Sequence, residues 1–194
     1  MTELELLQYI EDRPFKAQDE WFYHATDRDL DGLENILIEG IKCSFLRKEK
    51  SNQGYNGKYY VSVSKKSDNP NSVFNLFSHL PILVLDGIKP IKADEKNFFF
   101  GSFTETILPF RTSSKADEYQ QFLKISPDKI VALGFSIAHM LESNYNFDMY
   151  RLLYLKKIIC LLQCIEKNIP VYDFTSNMEI NKDKVLSLEL LKEL

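Results

Sequence analysis

Cysteine is scarce. Three residues, Cys43, Cys160 and Cys164, are too few and too irregularly spaced for a disulfide framework, and no CxxC pair or His/Cys cluster with zinc spacing accompanies them. A reducing compartment fits, and no metal site is expected. A basic excess is also missing: the net charge of −4 argues against a broad polyphosphate-binding surface, while leaving room for a local basic patch. The longest apolar stretch, LLYLKKIICLLQCI from Leu152, is broken by two lysines and is too short to span a bilayer. The opening MTELELLQYIEDRP is acidic where a secretory leader needs a basic start. These absences predict a cytoplasmic protein with no membrane association, acting where it is made or after delivery into a host cytosol. No internal repeat, low-complexity tract or linker appears, so residues 1–194 are expected to form a single domain.

What the chain does have is apolar and aromatic material. At 194 residues and 44% apolar composition it can bury roughly 70% of its unfolded surface. Its 14 Phe and 10 Tyr exclude a disordered chain. Residues 3–11 read as a short helix ending before Pro14, and WFYHA reads as a buried strand. A helix follows, capped at Asp29, with Leu30, Leu33, Ile36 and Leu37 on one face and Gly40 as its stop. In KYYVSVS, strict alternation puts Tyr59, Val61 and Val63 toward a core and leaves Tyr60, Ser62 and Ser64 as the wall of a polar cleft. PILVLD, IKPIKA, NFFFGSFTE, EYQQFLKI and KIVALGFS are further strands, the last two joined by the turn SPDK. Residues 105–116 read as a loop. After Ile137 the pattern turns helical, with a long segment from Asp148 to about Lys167 and a last helix from Lys182 onward.

Three strand edges carry polar residues: His24, the Tyr60/Ser62/Ser64 face, and Glu118. Their order and context, FYHAT before a helix with a GI ending, then GKYYVS, then DEY, resemble the His-Tyr-Glu branch of the ADP-ribosyltransferases. That branch includes the poly(ADP-ribose) polymerases and the diphtheria-toxin-like enzymes. Its motifs are His-Gly-Ser or His-Gly-Thr, then Gly-Lys-Gly-hydrophobic-Tyr, then a glutamate in an Asn-Glu-Tyr setting. Here they would be His24-Ala25-Thr26, Gly57-Lys58-Tyr59-Tyr60 and Asp117-Glu118-Tyr119. The likeness covers residues 20 to 135, and the order and strand context carry more of it than any one motif.

The resemblance implies an α+β fold with a split two-sheet β core and flanking helices; the helical pattern of residues 137–194, which the likeness does not cover, is expected to pack on that core as no linker separates them. It also implies NAD as co-substrate. Cleaving the nicotinamide–ribose bond creates an oxocarbenium-like centre, which a fixed carboxylate stabilises. By resemblance Glu118 is that carboxylate, His24 bonds the adenosine ribose, the backbone of Ala25 grips the nicotinamide carboxamide, and Thr26 adds a ribose contact. Tyr60 would stack on the nicotinamide ring and Ser64 would bond its amide. Phe74 is the nearest substitute for a second stacking aromatic, since position 71 is asparagine. Arg28 and Arg111 are candidate pyrophosphate partners through bidentate contacts, with Arg111 alternatively facing the acceptor. The pattern departs from the family where Ala25 replaces glycine, and Ala116 lacks the acidic or amide residue of arginine-specific relatives.

The expected function is a mono-ADP-ribosyltransferase acting on a macromolecule, with protein ranked ahead of nucleic acid. Compact modules of this kind serve as bacterial toxins, injected effectors and phage-defence proteins. An NAD glycohydrolase, with water as acceptor, and a catalytically silent nucleotide-binding or interaction module remain open alternatives. Plainer readings stand beside these: His24 as a structural histidine, Tyr60 as strand packing, Glu118 as a solvated carboxylate with Asp117 in its place. Cys160 and Cys164, one helical turn apart in a greasy segment, read as core. His79 and His139 fall in no ligand spacing, and Arg47, Lys48 and Lys50 read as a solvated loop that could touch an anionic acceptor.

Overall fold

The computed structural model describes residues 3–26, 30–48, 59–67, 80–92, 118–137 and 147–189. The chain is a mixed α+β protein whose strands are mostly antiparallel, and it divides into two compact units. One comprises residues 18–131 and the other residues 1–17 with 132–194. The strand Ile130–Phe135 (β9) carries the chain from the first to the second.

In the unit of residues 18–131, the strand Phe22–Ala25 (β2) is followed by the helix Leu30–Glu39 (α2), which buries Leu33 and Leu37 one turn apart. Gly40 ends that helix at φ +87°, and its Cα lies so close to the Ile125 carbonyl that a Cβ would sit 2.2 Å from that oxygen. Only glycine meets both demands. Then come a short strand Ile41–Lys42 (β3), a helical turn Ser44–Arg47 (α3), and the strands Tyr60–Ser64 (β4), Ile82–Leu85 (β5), Ile91–Lys92 (β6), Glu118–Phe122 (β7) and Lys124–Ile125 (β8). The sheet order is β5-β2-β4-β7-β6, antiparallel throughout. All four residues of β5 are buried, as an unbroken apolar run requires of a strand covered on both faces. Val61 and Val63 of β4 are buried and Tyr60 and Ser62 half-buried, as the alternation of KYYVSVS predicts, but Ser64, expected on the open polar face, is buried and Tyr59, expected in the core, is half-buried.

EYQQFLKI does not form one strand. Leu123 adopts φ +58° and breaks it, so that β8 leaves the sheet and pairs with β3 rather than with β9. A 3-10 turn, Pro127–Lys129, replaces the expected simple turn. Backbone bonds stitch the break: Leu123 N–H donates to the Tyr59 carbonyl (2.8 Å), and Cys43 N–H donates to the Leu123 carbonyl (2.9 Å).

The other unit joins the helix Glu3–Ile10 (α1), the strand Glu11–Pro14 (β1), the end of β9, the helix Phe147–Cys164 (α4), a hairpin Val171–Asp173 (β10) and Met178–Ile180 (β11), and the helix Lys182–Ser187 (α5). β11 pairs with β1 and β10, and β10 runs parallel to β9. The region after Ile137 is therefore not purely helical; strands of three residues are too short to show alternation in sequence. α4 buries Leu152, Leu155, Ile158, Ile159 and Leu162. That stripe leaves Cys160 and Cys164 exposed with Lys157 on the opposite side, correcting their assignment to the core. Asp173, buried at the end of β10, accepts N–H bonds from Ile137 (3.0 Å), Thr175 (3.0 Å) and Ser176 (3.3 Å) and the Ser176 hydroxyl (2.8 Å). A buried carboxylate supplied with four donors is satisfied rather than costly.

Gly134 of β9 is covered by the Phe174 ring so closely that an added Cβ would lie 1.6 Å from its Cε2. Gly134→Ala is expected to cost about 3 kcal/mol in urea unfolding, and Phe174→Leu added to it to return part of that loss. A single variant within about 0.5 kcal/mol of wild type would show that the ring moves aside freely.

Candidate functional site

Three strands that bear the chemistry-carrying residues stand side by side in the order β2-β4-β7, although 94 positions separate His24 from Glu118 along the chain. Tyr23 opposes Ser64 across one seam, and Ser64 opposes the backbone of Glu118 across the next. Tyr60 opposes Phe122, with ring centroids 5.4 Å apart, and Ser62 opposes the buried Gln120. Register therefore puts Tyr23, Tyr60, Ser62, Ser64 and Gln120 on one face. Phe22 and Tyr119, centroids 5.1 Å apart, lie on the other, as does the Cβ of His24.

What His24 shares with the serine face is the seam. Its Nδ1 lies 2.7 Å from the backbone carbonyl of Ser62. A carbonyl only accepts, so Nδ1 carries the proton and donates. Burial holds the His24 pKa below its ordinary value, outweighing the Ser62 carbonyl, which favours the cation; the nearby charge of Arg47 lowers it further. The ring is thus neutral at pH 7, and Nε2 is left as an acceptor.

The same contact marks where β2 and β4 part. Their registered pair is Tyr23 with Ser64; one step on, where Ala25 would face Ser62, the imidazole holds the Ser62 carbonyl. Thr26 N–H donates to the Pro81 carbonyl (2.9 Å) on the β5 side. Alternate residues of a strand send their peptide groups to opposite neighbours, so Ala25 turns its N–H and C=O toward β4. The registered pairing of β2 with β4 ends here, beside the acceptor nitrogen of His24. Next to it, Lys65 donates to the carbonyls of Trp21 (2.9 Å) and Asp19 and lies 3.8 Å over the Phe22 ring, fixing that end of the seam. Burial lowers the Lys65 pKa.

Among the described residues, His24 and Ala25 lie on β2 with Thr26 just past its end, Tyr60 and Ser64 on β4, and the backbone of Glu118 on β7; His24 takes the opposite face from Tyr60 and Ser64, and Tyr60 and Glu118 stand at opposite ends of the β4–β7 pairing. Arg28, Phe74 and Arg111 lie outside the described residues, as do Asp117, His79 and His139. The spacing of the sequence did not point to the Ser62 carbonyl or to Lys65, because both act through backbone contacts that no motif records. Arg47, read as part of a solvated loop, lies near enough for its charge to act on His24. Among the described residues no group of three or more His, Cys, Asp or Glu side chains is placed to hold a metal ion, and no helix is long and apolar enough to cross a membrane. Comparison with protein-family models, with curated proteins and with solved structures finds no match for the chain.

A histidine whose pKa is depressed in the folded state leaves the unfolded chain the better proton acceptor. Its stability contribution is complete above the unfolded pKa, about 6.5, and is lost as pH falls toward the folded value. Wild type is therefore expected to lose more stability between pH 7 and pH 5 than His24→Gln, which keeps a donor for Ser62 but cannot titrate. Parallel curves for the two proteins in denaturant unfolding would remove His24 as the source.

Proposed function

We propose that the chain is an NAD-dependent mono-ADP-ribosyltransferase built on a split β core, in which the parting of β2 from β4 receives the nicotinamide end of NAD. The observation that carries this reading is the seam itself: the neutral imidazole of His24 reaches the Ser62 carbonyl from one face of β2, Tyr60 stands on the other face of β4, and the Glu118 backbone lies opposite Ser64 on the next strand. A primary carboxamide offers one acceptor and two donors, which complement the N–H and C=O of a single residue such as Ala25. Nε2 of His24 would accept from a ribose hydroxyl, and Tyr60 would supply an aromatic face for the pyridine ring. In the reaction the C1′–N bond breaks with its electron pair passing to nicotinamide; an acceptor atom bonds to C1′ and gives up its proton. Glu118 would stabilise the positive charge that develops between those two events.

With labelled NAD and cell lysate, wild type is expected to transfer label and Glu118→Ala to lose on the order of 10²–10³ in turnover, with NAD affinity changed far less. Tyr60→Ala should instead weaken NAD binding by roughly 2- to 13-fold, the worth of one aromatic stack. Equal transfer by wild type and Glu118→Ala would defeat the reading, and nicotinamide release without any label transfer would make water the acceptor.

A further inference from the structure

Exposed thiols are uncommon, because cysteine ranks among the most often buried residues. Cys43 follows that rule, whereas Cys160 and Cys164 are both exposed, and neither is in a disulfide. The two stand one turn apart on α4, separated by Leu161, Leu162 and Gln163. Residues four apart on a helix share a face, with Cβ atoms about 5–6 Å apart. The buried stripe of α4, formed by Leu155, Ile158, Ile159 and Leu162, fixes which way that face turns.

The end of the helix is tied down as well. Glu166 takes the left-handed region at φ +53°, Lys167 N–H donates to the Leu162 carbonyl (2.9 Å), and Glu166 N–H donates to the Gln163 carbonyl (3.1 Å). That closing pattern holds the last turn, of which Cys164 is the final residue. A disulfide needs Cβ atoms roughly 3.5–4.5 Å apart, so joining these two would require the turn to unwind. Two sulfurs on one metal ion, with bonds of about 2.3 Å, span the helical spacing as it stands.

The number of ligands selects the ion. No third His, Cys, Asp or Glu side chain joins the pair among the described residues, so the four-coordinate tetrahedron that zinc requires is not filled. Thiolates select soft ions, and Cu(I) is the soft ion that two of them satisfy. A dithiolate holding Cu(I) carries one net negative charge, and Lys157, exposed one turn before Cys160, places a positive one on the same side of the helix. We propose that Cys160 and Cys164 form a two-coordinate site for Cu(I) on the open face of α4, a site that does not depend on the transferase reading.

The test is anaerobic titration of the reduced full chain with Cu(I) in competition with bicinchoninate, whose colour reports the copper it holds. One ion per chain is expected. Cys160→Ser and Cys164→Ser, both at exposed positions, should each lose more than about 100-fold in affinity, a larger change than removal of an outer partner brings. Lys157→Gln should weaken binding by up to about 5-fold, the worth of one exposed charge pair. As a second readout, one equivalent of Cu(I) should shield both exposed thiols of wild type from N-ethylmaleimide. Undiminished affinity in either serine variant, one ion shared between two chains, thiols that stay reactive under copper, or tighter binding of Zn(II) than of Cu(I) would overturn the proposal.

Discussion

The contact between His24 Nδ1 and the Ser62 carbonyl is the constraint on which the candidate site depends. It replaces a backbone ladder bond with a side-chain bond at the point where β2 and β4 would otherwise continue to pair. A polar group that merely lost its ladder partner inside the protein would cost about 1–3 kcal/mol. The imidazole meets that cost for the Ser62 carbonyl at the point where the registered pairing of β2 and β4 ends. The same bond fixes the tautomer, and burial keeps the ring uncharged, so the acceptor nitrogen is set by the fold.

The walls of the seam are held by different means. On one side, β5 is apolar on both faces and fully buried, which locks β2 through four registered pairs from Phe22 with Leu85 to Ala25 with Ile82. On the other, β4 is locked to β7 through five pairs from Tyr60 with Phe122 to Ser64 with Glu118. Both neighbours are therefore more firmly paired than β2 is with β4. The β2–β4 seam thus has the fewest registered pairs of the three, and Lys65 bonds two carbonyls at the start of β2 beside it.

Much of this was legible in the sequence because it depends on short-range regularities. The alternation in KYYVSVS sorted Val61 and Val63 from Tyr60 and Ser62, and Gly40 marked the end of α2 since only a positive φ fits there. What escaped was set by single residues acting against local pattern or by distant partners. Leu123 shows no turn chemistry, yet its left-handed backbone sends β8 to β3. The β10–β11 hairpin has strands of three residues, below any detectable period. Cys160 and Cys164 sit in a segment apolar nearly all round, so composition alone could not say which stripe of α4 is buried.

The break at Leu123 also sets how far β7 reaches from the seam. β7 begins at Glu118, opposite Ser64 beside the seam, and ends at Phe122, which opposes Tyr60 and is 54% exposed. Five extended residues span about 14 Å. Tyr60 and the backbone of Glu118 thus stand about one strand length apart. Had EYQQFLKI continued as one straight strand, Lys124 would have stayed in the sheet with β4 for a neighbour. The left-handed residue turns it out to face Lys42 instead, gathering positive charge at the far end of the strand that carries the acid.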